Sequence, residues 1–187
     1  MPNSLRIIVH PHCGINDGKM RCIEGRKNAP GRPRGWAKAH PLAEDILLRY
    51  SLRDRVYRAE ARTARARGIP IILMDHKFYP KCINDDASHL MYNSSPPIPR
   101  AMALRLSHEI CRMKGDLVEW FGEEFGEENI FRGKITAIGG HLFDRAPRST
   151  KIRIIGEFLH CCVHDVFNSL LRSGYLFSRI IRDKCVE

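Results

Sequence analysis

LRIIVHPHCG, residues 5–14, decides how the chain is to be read. Leu5–Val9 is a short, β-branched apolar run, the mark of a strand buried on both faces. It passes directly into His10, Pro11, His12 and Cys13, with Gly14 behind them. Downstream, Pro41 is suited by its fixed φ to open a helix. Ile46, Tyr50, Tyr57, Ala61 and Ala64 then recur at helical spacing as far as Ala66, and Gly68 ends the run. Ile69–Met74 is a second buried strand, ending in Asp75–His76. Strand, helix, strand in this order predicts a parallel, right-handed βαβ unit.

The rest of the chain extends that unit. Residues 14–41 hold five glycines and three prolines and read as a long loop. Residues 77–97 read as another loop, with a short strand at His89–Tyr92. Pro99 opens a second long helix, whose stripe of Met102, Leu106, Ile110, Met113, Leu117 and Phe121 is spaced for a core face. Two more strands are expected at Lys134–Ile138 and Ile152–Ile155, and a last helix at about Asp165–Arg182. The predicted fold class is α/β: one domain over residues 1–187, with a mostly parallel sheet flanked by helices.

At 187 residues, 43% hydrophobic and 28% charged, the composition is that of a soluble globular chain. No run is apolar enough to span a membrane, and the N-terminus has no signal-peptide pattern, so synthesis in the cytoplasm is expected. The seven cysteines are odd in number and contain no CxxC pair, which favours free thiols or metal ligands over bridges. A net charge of +10 calls for a polyanionic partner: nucleic acid, an acidic membrane surface or an anionic cell wall. Arg55, Arg58, Arg62 and Arg65 form a basic stripe on the first helix, read as a solvated face or an anion-binding surface.

In an open parallel sheet, ligands bind beyond the carboxyl ends of the strands. The first strand ends in His10, His12 and Cys13, the second in Asp75 and His76, and the strand at 152–155 in Gly156–Glu157. Glu44, in the first turn of the first helix, falls at the same edge if that helix returns antiparallel to the sheet. Two histidines and a glutamate around an open position make a hydrolytic zinc site. His12, Glu44 and His76 are the candidate Zn2+ ligands, and Glu157 the candidate acid/base that moves the proton of a zinc-bound water.

This order of motifs resembles the catalytic domain of zinc-dependent N-acetylmuramoyl-L-alanine amidases, the cell-wall hydrolases of bacteria and phage endolysins. HPHCGINDG (10–18) is similar to the turn that carries the first histidine ligand, although His–Cys–Gly stands where the family has His–Gly–Gly. AEDILLRY matches a helix opened by a glutamate ligand, IILMDHK a strand leading to the second histidine, and IRIIGEFLHCCVHD a late strand ending in the catalytic glutamate. The extra strand and helix usual between the glutamate and second histidine have little room here, and Glu24 remains the alternative to Glu44. The resemblance implies zinc-dependent hydrolysis of the amide between the glycan's lactyl group and L-alanine in peptidoglycan, with release from the cytoplasm through a holin. Related zinc amidohydrolases on the same scaffold act on other amides.

Two rival readings come from other motifs. GRPRGW (31–36) is similar to the core of minor-groove AT-hooks, which with the arginine stripe would make a nucleic-acid-binding protein. IILMDHKFYP resembles the opening of ββα-metal nucleases, although Asn93 and His108 are too far along for the remaining residues of that motif. HCCVH (160–164) places His160, Cys161, Cys162 and His164 close together, read as polar lining of the cleft rather than a second metal site. His141 has no assigned role, and GEEFGEEN (122–129) reads as a solvated acidic loop.

Overall fold

The computed structural model describes residues 3–9, 40–75, 87–88, 90–92, 96–142, 145–156 and 162–183. Its centre is a five-stranded, all-parallel sheet of order β3-β2-β1-β4-β5. The strands are β1 (Ser4–Val9), β2 (Ile71–Met74), β3 (Ile130–Phe131), β4 (Lys151–Gly156) and β5 (Ile180–Arg182). The helices are α1 (Pro41–Ala66), α2 (Arg100–Phe125), the short α3 (Ile138–His141) and α4 (Cys162–Arg172). The chain is an α/β domain, as expected.

Alternation along the strands assigns the two faces. Ile8, Ile71, Leu73 and Ile155 meet Tyr57, Ala61 and Ala64 of α1 and Leu117 and Phe121 of α2. Leu5, Ile7, Val9, Ile72, Met74, Ile152 and Ile154 meet Ile138 and Leu142 around α3 and Val163, Val166, Phe167 and Leu170 of α4. β1 and β2 are buried from both sides, which is why they read as near-continuous apolar runs, whereas the edge strand β5 ends exposed at Arg182. A third core cluster lies away from the sheet, where Ala43, Ile46, Leu47 and Tyr50 of α1 pack on Ala87, Leu90, Ile98, Ala103, Leu106 and Ile110. Because β1 and β2 are parallel neighbours, α1 returns antiparallel to them, and its first turns project past the carboxyl edge of the sheet.

Three expected elements take another form. Residues 90–92 are helical, not extended: Ala87 and Leu90, three apart, bury one helical face against α1 and α2. The segment 134–138 is a 3-10 turn, Ile135–Ala137, leading into α3. Ile135, Ile138 and Leu142 are spaced for one helical side, and the Ser169 hydroxyl ties the segment to α4 by donating to Thr136 O (2.8 Å) and accepting from the Gly139 amide (3.1 Å). The strand expected there is Ile130–Phe131 instead, in register with Leu73–Met74. The last helix starts earlier and stops at Arg172, because Gly174 at φ +84° takes a backbone turn that L side chains resist. Beyond it the β-branched Ile180–Ile181 join β4 as the fifth strand.

Candidate functional site

The strand order runs outward from β1 to β3 on one side, then restarts at β4 on the other. The reversal point therefore lies between β1 and β4, and it is beyond the carboxyl ends of such a pair that open α/β sheets bind their ligands. Three central strands finish together there, since Val9 is the register partner of both Met74 and Gly156. Adjacent strands lie ~4.8 Å apart, so the three ends fall within roughly 10 Å. The approach of β4 to β1 is tight. A Cβ on Gly156 would stand 2.6 Å from the Val9 carbonyl oxygen and 2.8 Å from its Cβ, so only glycine fits.

At the β2 end the edge carries an ion network. Lys114 Nζ lies 3.2 Å from Asp75 Oδ1, and Arg132 Nε lies 3.5 Å from Asp75 Oδ2. Arg132 also binds Glu127 at 2.7 Å, and this pairing holds its guanidinium charged more firmly than usual. The Asp75 amide donates to Phe131 O at 3.0 Å, carrying the β2–β3 ladder one residue further. Lys114 is 4% exposed, in line with Ile110, Leu117 and Phe121 on the buried face of α2. Sequence reasoning missed both cations. The signal for Lys114 was available, because it stands four residues after Ile110 and three before Leu117, on the buried side of the stripe.

On the other face, His141 ends α3 with its ring centroid 4.9 Å from that of Phe131. Burial, with help from Arg145, pushes its pKa below the ordinary histidine value and favours the neutral ring. Cys162 opens α4 as a partly buried thiol in no disulfide, packed against the core, whereas His164 on the same turn is exposed. These two side chains therefore do not face one another. The chain matches no protein-family model, no curated protein and no solved structure.

Of the expected zinc set, the described residues include Glu44 alone. It is half-buried in the first turn of α1, past the carboxyl edge. Tyr57, the first α1 residue in the sheet-side core, lies thirteen residues further on, about 20 Å at 1.5 Å per residue. His12, His76, Glu157 and the alternative Glu24 lie outside the described residues, as do His10, Cys13, His160 and Cys161. Among the described residues no three His, Cys, Asp or Glu side chains are grouped to hold a metal ion. Among the described residues no helix is long and apolar enough to cross a membrane.

The basic stripe on α1 is largely engaged within the fold. Arg58 and Arg62 sit over the Trp120 ring at 4.5 and 5.6 Å, and Arg65 lies over Phe125 at 5.8 Å while pairing with Glu124. Arg58 also binds Asp54 at 2.8 Å. The stripe roofs the aromatic end of α2 by cation–π contact. Part of the acidic run at 122–129 answers it, and Glu127 serves Arg132.

Proposed function

We propose that this chain is a zinc-dependent hydrolase of an amide bond, with the reacting carbonyl bound beyond the carboxyl ends of β1 and β4. The observation that carries the reading is the alignment of Met74, Val9 and Gly156 on neighbouring strands. His76 follows two residues after the first, His12 three after the second, and Glu157 immediately after the third. Two imidazoles and a carboxylate form a donor set that suits hydrolytic zinc, the carboxylate coming from Glu44 or Glu24. Those residues would hold a metal whose chemistry there would be to activate a water and polarise the carbonyl. Glu157 takes the proton of the attacking water and returns it to the leaving amine. The amide between the lactyl group and L-alanine of peptidoglycan is the substrate of choice, since the motif order resembles wall amidases and a charge of +10 suits an anionic wall.

The strand order alone would also suit a dinucleotide, but the segment after β1 reads HPHCGINDG and lacks the GxGxxG turn. A ββα nuclease centre is disfavoured because β2 has parallel neighbours on both sides and is followed by α2, whereas that motif needs an antiparallel hairpin. A phosphate-binding stripe is disfavoured because its arginines cover Trp120 and Phe125.

One observation favours a second reading of the same crevice. Cys162 stands on the first turn of the helix that follows β4, where a helix N-terminus stabilises a thiolate. In that reading the thiolate attacks the carbonyl, the amine leaves with a proton, and water hydrolyses the thioester. Purified protein mixed with Gram-negative peptidoglycan, and separately with plasmid DNA, decides the matter. Turbidity loss that a chelator stops and zinc restores, and that Glu157→Gln abolishes with zinc still bound, supports the metal reading. Turnover that ignores the chelator but disappears in Cys162→Ser supports the thiol. DNA nicking, or salt-sensitive DNA binding without turnover, refutes both.

A further inference from the structure

A lysine on the buried stripe of α2 is out of keeping with its neighbours. Ile110, Leu117 and Phe121 are 1%, 1% and 0% exposed, and Lys114 between them is 4%. Desolvating a lysine and an aspartate costs at least as much as their attraction returns, so an apolar pair of similar volume serves stability as well or better. What the charged pair adds is direction. At Asp75 three elements are tied at one residue: the amide binds Phe131 O of β3, Oδ1 meets Lys114 of α2, and Oδ2 meets Arg132 just after β3. Asp75 directly follows Met74, which stands in the aligned row of strand ends with Val9 and Gly156.

We infer that Lys114 and Asp75 are positioning residues, which aim the chain as it leaves β2 and so set the geometry of the carboxyl edge. The inference rests on the reading that places the reacting group at that edge. The carboxylate is held from below by α2 and from the side by the residue after β3, so the peptide after Met74 keeps one direction. An apolar pair would fill the same space without fixing that direction. The ends of β1 and β4 are held by six paired residues, whereas β2 is paired to β1 over four residues and to β3 over only two.

The test uses the full chain in three forms: native, the Asp75→Asn/Lys114→Met double variant, and Lys114→Arg, which keeps the ion pair. Thermal melting, amide exchange at residue 75 and titration with Zn2+ alone are read for each. The double variant is expected to melt within about 2 °C of native or above it. Its residue-75 amide is expected to exchange at least ~10-fold faster, as a locally released segment does. Zinc binding is expected to weaken ~10-fold or more, the usual effect of losing a group that orients ligands. Lys114→Arg is expected to stay near native in all three. Native exchange and native zinc affinity in the double variant would overturn the inference, and so would a melt far below native, which would make the pair a support of the fold. If native protein takes no zinc, the metal reading fails, and exchange with melting alone decides the positioning role.

Discussion

Replacing Gly156 by alanine probes the place where β1 and β4 pinch together. The added Cβ would meet the Val9 carbonyl oxygen at 2.6 Å, the Val9 Cβ at 2.8 Å and the Val9 Cα at 3.2 Å. Carbon atoms prefer 3.5–4.0 Å, so the strands must separate by about 0.7 Å or more. Two of the three obstacles are backbone, so no side-chain rotation relieves them. Overpacking of this kind costs ~1–3 kcal/mol, and an obstacle that cannot turn aside puts Gly156→Ala near the upper figure. For a chain of this length each kcal/mol lowers Tm by roughly 2–4 °C, so a fall of about 6–12 °C is expected. The control is Gly115→Ala on α2, where an added Cβ meets nothing within 4 Å. There the gain in helix propensity is expected to stabilise by up to ~1 kcal/mol. Melting followed by circular dichroism gives both shifts, and amide exchange along β1 locates the strain. A Gly156→Ala protein that melts within about 1 °C of native, with exchange at Val9 unchanged, would refute the close approach as described.

Three further outcomes follow from the geometry. Arg6, register partner of Arg153, binds the Glu60 carboxylate and carbonyl at 2.8 Å each, and burial pushes its pKa below the ordinary arginine value. Glu60→Ala strands a buried guanidinium and is expected to cost about 3 kcal/mol in urea denaturation, with Arg6→Leu/Glu60→Leu recovering most of it. His141 titrates lower folded than unfolded, so the unfolded chain binds the extra proton first as pH falls. Its burial carries no penalty above the unfolded value of ~6.5 and an increasing one below it, until the folded ring also protonates. His141→Gln should therefore flatten the decline of Tm between neutral and mildly acidic pH, and parallel curves for the two proteins would contradict this. The Tyr175 hydroxyl reaches Leu142 O at 3.1 Å and Ala146 O at 3.0 Å, so Tyr175→Phe should lower the urea-derived stability by ~1 kcal/mol.

The elements readable in the sequence are those whose signals agree. Pro41 at the first helical position, apolar residues at helical spacing and Gly68 behind them bound α1, and the structure places it at Pro41–Ala66. The elements misread are those in which two periods compete. Ile135, Thr136 and Ile138 are β-branched and look extended, yet the spacing of Ile135, Ile138 and Leu142 suits a helical side and the Ser169 hydroxyl holds it. Apolar residues recur on both sides of Gly174, from Val163 to Ile181, so the pattern reads as one helix, whereas the backbone turn at Gly174 and the 3-10 turn Phe177–Arg179 divide α4 from β5. At the candidate site, strand order is the part that local pattern cannot supply. That β4 returns beside β1 depends on long-range pairing, and it is what brings Gly156 into line with Val9 and Met74. Lys114 is masked in the sequence by Met113, the adjacent apolar residue that continues the stripe but is only partly buried.

The third core cluster has a dynamic consequence. The first turns of α1 and α2 bury their apolar side chains against Ala87, Leu90, Met91 and Ile98 and each other, not against strands. Opening this wall exposes its own core and leaves both faces of the sheet covered, so its local unfolding free energy is set separately from that of the strands. Native-state hydrogen exchange would then divide each long helix in two, with amides around Ile46 and Leu106 exchanging as one cooperative unit and those around Ala61 and Leu117 with the sheet.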